Sequence, residues 1–151
     1  MHVRRRLFHV PIVDVMKIYF AGSIRGGRDD KDIYAAIIML LKNYGTVVTE
    51  HVGDAQISLE GEAAPDREIH DRDIGWLREC DVIVAEVTAP SLGVGYELGR
   101  AVEWGKRIIC LYRPSSDRKL SGMIAGSPGV VIHEYSTPSD LSSVFKKLFC
   151  I

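Results

Sequence analysis

Five short apolar runs alternate with segments of helical periodicity along this chain, and this alternation restricts its fold more than any other feature. The runs cover residues 17–21, 46–50, 81–88, 107–112 and 130–135. Their near-continuous apolar character, without hairpin turns between them, is typical of parallel strands that are buried on both faces. The sequence therefore predicts an α/β protein with a five-stranded parallel sheet and helices on both faces.

The segments with helical spacing cover residues 29–44, 66–80, 96–104, 120–124 and 139–149. Gly45 and Gly105 are expected to end the first and the third helix, and Thr137 or Ser139 to cap the last. We expect the flavodoxin-like (Rossmann-like) strand order 2-1-3-4-5. Such sheets bind ligands at the carboxyl ends of the strands, where the strand order reverses. The loops predicted to meet there are residues 22–28 and 88–95.

The length of 151 residues favours a single domain, which we place at residues 17–151. Residues 1–16 are predicted to form a flexible extension. A secretory signal or a mitochondrial leader fits them less well, because no small-residue cleavage site follows and the segment lacks serine. A formal net charge of -1 gives no indication of nucleic-acid polymers or anionic membranes as partners. No apolar run approaches the length of a membrane span.

Three scattered cysteines without CxxC spacing argue against a disulfide framework or a zinc site, and favour the cytosol or the nucleus. Cys110 lies in an apolar run and is predicted to be a buried thiol. No HExxH motif or His/Cys cluster indicates a metal. We therefore expect neither a metal nor a cofactor.

Two glycine-containing loops are the first candidates for binding. GSIRGGR (residues 22–28) lets backbone N–H groups approach a ligand, although it is neither GxGxxG nor a Walker loop. A glycine turn needed only for strand-to-helix packing is the alternative interpretation. PSLGVGYELGRA (residues 90–101) again offers backbone donors at Gly93 and Gly95, with the Ser91 hydroxyl beside the same helix start.

Glu97 is the candidate nucleophile, because it falls in the first turn of the helix predicted at residues 96–104, beside both loops. The helix dipole there is expected to favour the ionised carboxylate, although an acid that merely complements the dipole is the alternative. Cleavage of a glycosidic bond commonly uses two carboxylates. Asp73 lies four residues after Ile69 and can border the buried stripe of its helix. The other acids of that helix, Asp66, Glu68 and Asp71, are more typical of a solvated face, and His51, His70 and His133 of surface or structural histidines.

Several motifs in order resemble the nucleoside 2-deoxyribosyltransferase family, and within it the members that hydrolyse 2′-deoxynucleoside 5′-monophosphates. They are YFAGSIRGG (residues 19–27), TEH (49–51), DRDIGWL (71–77), DVIVAEVTAPSLGVGYELGRA (81–101) and LYRPSSDRKLSGMI (111–124). The resemblance runs from about residue 17 to the last strand. It implies cleavage of the N-glycosidic bond to free base and 2-deoxyribose 5-phosphate, and a homodimer.

The resemblance also implies roles for the matching residues. Glu97 matches the catalytic glutamate that attacks the anomeric carbon C1′ and forms a covalent deoxyribosyl-enzyme. Asp73 matches the acid that works beside it, and Tyr19, otherwise typical of a core residue, matches a tyrosine that orients the nucleophile. The matching substrate-binding positions are Gly22, Ser23, Ile24, Arg25, Gly26, Gly27, Arg28, His51, Ser91, Gly93, Ser121 and Met123. In the resemblance the phosphate goes chiefly to Ser91, Gly93 and a neighbouring subunit's copy of Ser121, whereas the residues alone favour the first loop.

Two other functions stay open at this point. A deoxyribosyltransferase acting on free nucleosides would share Glu97, pass the sugar to a second base and need no phosphate; the small hydroxyls of Ser91 and Ser121 favour the hydrolase. A non-enzymatic nucleotide-binding module would not require an acid pair. We predict that Glu97 and the second acid lie roughly 5 Å apart, the separation of retaining glycosidases.

Overall fold

The computed structural model describes residues 14–24, 30–49, 52, 62–115 and 117–150. Within them, five parallel strands form one sheet in the order β2-β1-β3-β4-β5. The strands are β1 (Lys17–Ala21), β2 (Thr46–Val47), β3 (Val82–Glu86), β4 (Arg107–Tyr112) and β5 (Val131–Glu134). The predicted fold class and the strand order 2-1-3-4-5 are therefore confirmed.

Four helices connect consecutive strands and a fifth follows the last strand, and together they cover both faces of the sheet. They are α1 (Lys31–Leu41), α2 (Asp66–Glu79), α3 (Leu92–Glu103), α4 (Gly122–Ala125) and α5 (Leu141–Phe149). A 3₁₀ turn, Pro138–Asp140, precedes α5, and Thr137 and Asp140 form a capping box there. Thr137 was one of the two caps that the sequence predicted for this end.

Strand residues alternate between two apolar clusters because successive side chains of a strand point to opposite faces. Ile18, Phe20, Val82 and Val84 pack with α1 and α5 on one face. On the other face Tyr19, Ile83 and Ala85 pack with Leu77 of α2 and Leu98 of α3. Each large apolar side chain that is fully buried in this way stabilises the fold by about 1.5–3 kcal/mol. Tyr19 consequently points toward the helices that carry Asp73 and Glu97.

Helix α3 begins at Leu92, four residues before the predicted start, and this is the main departure from the sequence prediction. Ser91 is its N-cap, and the Ser91 Oγ accepts a hydrogen bond from the Val94 N–H at 3.3 Å. Two glycines in the first turn lower the helix propensity, so the sequence reads as a loop, but the cap compensates. Glu97 is therefore the sixth residue of the helix and lies in its second turn.

Two further features bear on the sequence predictions. Cys80 and Cys110 are buried free thiols, as predicted for Cys110, and Cys150 is exposed and also free. Among the helices in the described part of the chain, none has the length and apolar character required to cross a membrane.

Candidate active site

A cavity of about 610 Å³ opens between the ends of β1 and β3, at the predicted reversal of strand order. Gly22 and Ile24, just after β1, form part of its wall. One face of α2, the first half of α3 with the preceding residues 90 and 91, and Glu62 form the rest. A concave site of this size, with a few convergent polar groups, is typical of binding sites for small molecules.

Glu97 lines this cavity and is fixed by the strand behind it. The Tyr19 Oη donates a hydrogen bond to the Glu97 Oε1 at 2.5 Å, and Tyr19 itself is almost completely buried. Burial, followed by the charge of Glu97, raises the pKa of Tyr19 above its ordinary value, so the hydroxyl keeps its proton and remains a donor. The carboxylate of Glu97 is thus oriented by an uncharged partner.

The protonation of Glu97 differs from the sequence prediction. Burial raises the pKa of Glu97 to about 7; the hydrogen bond from Tyr19 lowers it, and the charge of Asp73 raises it further. The expectation that the helix dipole holds this carboxylate ionised is wrong, because the dipole effect falls off within the first turn and Glu97 lies in the second. A pKa near neutrality suits a group that must lose its proton to act.

Asp73 faces the same cavity from α2 and bonds to a neighbouring cation. The Arg72 Nε donates to the Asp73 Oδ1 at 2.9 Å, and the Arg72 Nη2 also lies 2.8 Å from that oxygen. The structure therefore brings the two predicted acids to one cavity, close enough for the charge of Asp73 to affect Glu97. Their predicted separation of roughly 5 Å stays a prediction.

The N-terminus of α3 forms the wall opposite α2 and has the character of an anion site. The first N–H groups of a helix have no intrahelical partner, and here they belong to Leu92 and Gly93 beside the Ser91 hydroxyl. A Cβ placed on Gly93 would meet only the Ser91 Oγ, at 3.8 Å. The fold thus does not require glycine at this position, whereas a ligand approaching the backbone would benefit from it.

A model of one protein family, described as nucleoside 2-deoxyribosyltransferase, matches residues 18–141. The chain belongs to this family. The matched range contains β1 from Ile18 onward, the other four strands, the residues that line the cavity and both acids. The candidate site therefore lies within the domain that the family shares.

Curated relatives of this family member are close in sequence. The 5-hydroxymethyl-dUMP N-hydrolase of Tetraodon nigroviridis is 59% identical over 114 residues, which is 74% of this chain and 80% of the relative. The protein of the same name from Homo sapiens is 58% identical over 112 residues, 73% of this chain and 64% of the relative. A solved CMP N-glycosidase of Clostridium botulinum has a TM-score of 0.64 at 20% identity, covering 87% of this chain and 98% of its own, and shares the fold.

The remaining predicted site residues fall into three groups. Ser23 is fully buried behind the cavity, where its N–H donates to the Tyr34 Oη at 3.2 Å. Ser121 and Met123, at the start of α4, do not line the cavity within one chain, so their predicted action across a dimer stays a prediction. Five predicted residues lie outside the described part of the chain: Arg25, Gly26, Gly27, Arg28 and His51.

Sequence reasoning missed several residues of the cavity on α2. Asp66 and His70 line it together with Asp73, although we expected a solvated face for Asp66 and a surface or structural role for His70. The positions 66, 70 and 73 lie on one face of a helix at spacings of four and three, and this periodicity could have identified them. The His70 Nε2 also contacts the Tyr96 Oη at 3.0 Å, so α2 and α3 meet at the rim.

A second buried polar cluster lies on the opposite face of the sheet. Glu86 is fully buried at the end of β3 and accepts hydrogen bonds from the hydroxyls of Thr88 and Tyr135. The Arg113 Nη2 bonds to the Asp30 Oδ2 at 2.5 Å, and the Arg113 Nε lies 3.7 Å from Glu86. This cluster joins the ends of β3, β4 and β5 to the start of α1. None of its members lines the cavity.

Proposed function

We propose that this chain hydrolyses the N-glycosidic bond of 2′-deoxynucleoside 5′-monophosphates, releasing the free base and 2-deoxyribose 5-phosphate. The observation that carries the proposal is one cavity in which Glu97, fixed by Tyr19, faces Asp73 beside the N-terminus of α3. The relatives named 5-hydroxymethyl-dUMP N-hydrolase support it, because their named substrate is a monophosphate of this class.

The substrate phosphate binds to the Ser91 hydroxyl and the first N–H groups of α3, where the dipole favours a negative charge. This places the sugar over Glu97. A Glu97 oxygen forms a bond to C1′ while the C1′–N bond breaks, and the departing base takes that electron pair and a proton from solvent. The oxygen of a water molecule then forms a bond to C1′ as the bond between C1′ and the Glu97 oxygen breaks. The water gives up a proton to solvent, and Glu97 is restored as a carboxylate. Positioning by the non-reacting phosphate supplies much of the rate.

The first test measures base release and the covalent intermediate together. Wild type, Glu97→Gln and the control Glu103→Gln, exposed at the other end of α3, are incubated with 5-hydroxymethyl-dUMP and dUMP. We expect free base from wild type and the control, and a loss of about 10³-fold or more in Glu97→Gln with retained nucleotide binding. Acid-quenched wild type should carry a deoxyribose-phosphate adduct by intact mass spectrometry. Near-normal turnover by Glu97→Gln would remove this residue from its role.

Two further substrates separate the proposal from its competitors. Release of base from the free deoxynucleoside at the rate seen with its monophosphate would favour a transferase-like specificity. Equal turnover of the ribonucleotide would contradict the preference for 2′-deoxy sugars. Tight binding of the monophosphate without any base release would indicate that the chain is a nucleotide-binding module and not an enzyme.

We also propose a homodimer in which Ser121 of each protomer reaches the phosphate bound by its partner. Leu92 and Met123 support this, because they are large apolar side chains that are 96% and 85% exposed, as is typical of an interaction surface. Leu92 also lines the cavity. On α3, a Cβ at Gly95 or Gly99 would meet nothing within 4 Å, which leaves room for close packing. If sites are shared, mixing inactive Glu97→Gln with Ser121→Trp subunits should restore activity in mixed dimers.

Localisation in the cytosol or nucleus stays a prediction.

A further inference from the structure

Arg72, in the first half of α2, lies between two carboxylates of the cavity wall. Its Nε and Nη2 contact the Asp73 Oδ1 at 2.9 and 2.8 Å, and its Nη2 lies 2.9 Å from the Glu62 Oε2. The pairs are sheltered, since the side chains of Glu62 and Asp73 are 14% and 20% exposed. Sheltered pairs of this kind contribute more than ion pairs in open solvent, where water and salt screen the charges.

The guanidinium of Arg72 is held on its other side by an aromatic ring. Its central carbon lies 4.8 Å from the centroid of Trp76, one turn further along α2. Partial burial acts to lower the pKa of Arg72, but Asp73 and then Glu62 raise it above the ordinary value. The cation is therefore fixed in place and permanently charged. A planar fork held in this way restricts the carboxylate that it binds.

The negative charge of the cavity lining favours a cation at this position. Four acids line the cavity: Glu62, Asp66, Asp73 and Glu97. The substrate class of the proposed function adds a phosphate with a charge of about -1.5 to -2. Asp73 in particular acts directly on the nucleophile, because its charge raises the pKa of Glu97. The positive charge of Arg72, which contacts Asp73, offsets part of that repulsion.

We propose that Arg72 is a positioning residue of the active site: it holds the Asp73 carboxylate in place beside Glu97 and offsets the negative charge of the α2 wall. This inference rests on the proposed function. Arg72 need not touch the substrate, since it acts through Asp73. Its removal should therefore change the reaction more than the binding of the phosphate, which lies at the start of α3.

The expected signature is a shift of the pH profile. Glu97 faces Tyr19 from β1 and Asp73 from α2, while Glu62, Asp66 and His70 line the same cavity. Without Arg72 the net charge around Glu97 becomes more negative, which disfavours its ionised form. The acid limb of kcat/KM, expected near the Glu97 pKa of about 7, should then move to higher pH. We expect a shift of about half to one pH unit.

The test compares Arg72→Gln and Arg72→Lys with the control Arg78→Gln. Arg78 lies on the same helix, and its guanidinium stacks on Trp104 at the same 4.8 Å, but it does not line the cavity. The control therefore removes an equal charge and a similar aromatic contact. We expect Arg72→Gln to lower kcat by about 10- to 100-fold, with a smaller change in KM, and to shift the acid limb. Arg72→Lys keeps the positive charge, so the acid limb should lie near its wild-type pH. It loses the planar guanidinium that holds Asp73, so only part of the wild-type kcat should be recovered.

A titration that does not depend on turnover completes the experiment. The Glu97 carboxyl carbon is followed by NMR in glutamate-labelled wild type and Arg72→Gln, with Glu97→Gln for assignment. Melting curves identify any variant that fails to fold, in which case Arg72→Lys alone decides. An unmoved Glu97 titration and acid limb in Arg72→Gln, or equal shifts in Arg78→Gln, would overturn the inference. A wild type that releases no base at any pH would instead remove the proposed function.

Discussion

Replacing Glu97 by glutamine should stabilise this protein at alkaline pH. A carboxylate that is buried must lose its hydration when it ionises, and this cost appears in the folded state only. Burial raises the pKa of Glu97 from the ordinary 4.5 to about 7. Because the folded-state pKa is the higher one, the folded protein binds more protons than the unfolded chain between these two values. Wild-type stability therefore falls as the pH rises through this window.

The magnitude follows from the size of the shift. The rise from 4.5 to about 7 corresponds to about 3 kcal/mol at about 1.4 kcal/mol per pH unit, reached in full above the folded-state pKa. Between about pH 5.5 and 8.5 the part of this difference that develops is about 2 kcal/mol. Glutamine stays neutral throughout and can still accept the hydrogen bond from Tyr19 with its amide oxygen. Glu97→Gln should thus gain stability relative to wild type as the pH rises.

The assay is urea unfolding of wild type and Glu97→Gln at a series of pH values from about 5.5 to 8.5, without nucleotide. The quantity of interest is the difference in the free energy of unfolding between the two proteins, so other titrating groups such as Glu86 cancel. Glu103→Gln, at the exposed end of the same helix, is the control and should give a difference that does not vary with pH. A constant difference for Glu97→Gln would refute the argument that burial sets the proton affinity of the nucleophile.

Two other substitutions test the support around Glu97 and the phosphate. Tyr19→Phe removes a hydrogen bond that lowers the pKa of Glu97, so the acid limb of kcat/KM should move above about pH 7. The kcat, measured by base release across pH, should fall by about 10-fold or more. An unchanged pH profile would count against Tyr19 as the orienting group. Ser91→Ala removes the α3 cap, so the free energy of unfolding should fall by about 1 kcal/mol. It also removes a proposed phosphate ligand, so KM for the monophosphate should rise, whereas KM for the free deoxynucleoside should not. Equal effects on both substrates would show that Ser91 does not bind the phosphate.

The strand order and both core faces were predictable because they depend on apolar periodicity. The runs at residues 17–21 and 107–112 coincide with β1 and β4. The helix start at Leu92 was not predictable from propensity, since Gly93 and Gly95 resemble a loop. The decisive contact is the hydrogen bond that the Val94 N–H donates to the Ser91 hydroxyl. β2 is two residues long where the β-prone residues 46–50 predicted a short strand of five, because Thr49 leaves the ladder and exchanges hydrogen bonds with Phe20 through its hydroxyl.

The two acids of the candidate site were named from the sequence, but their electrostatic surroundings were not. The elevated pKa of Glu97 depends on tertiary burial and on Tyr19, 78 positions away in the chain. The contact between Arg72 and Glu62 joins α2 to a residue outside any helix or strand, and local sequence patterns contain no signal for such a pair. Periodicity predicts which face a residue occupies, whereas charge balance requires the packed structure.

The early start of α3 has a chemical consequence for the proposed reaction. If the helix began at residue 96, Glu97 would occupy the same N-terminal donors that the phosphate needs, and two anions would compete for them. With the start at Leu92, the free N–H groups lie one turn before Glu97, and Gly93 and Glu97, four residues apart, share a face. One turn advances by about 5.4 Å, which separates the anion site from the nucleophile along a single rigid element. The phosphate can then use the dipole, while burial, the hydrogen bond from Tyr19 and the charge of Asp73 determine when Glu97 becomes a carboxylate.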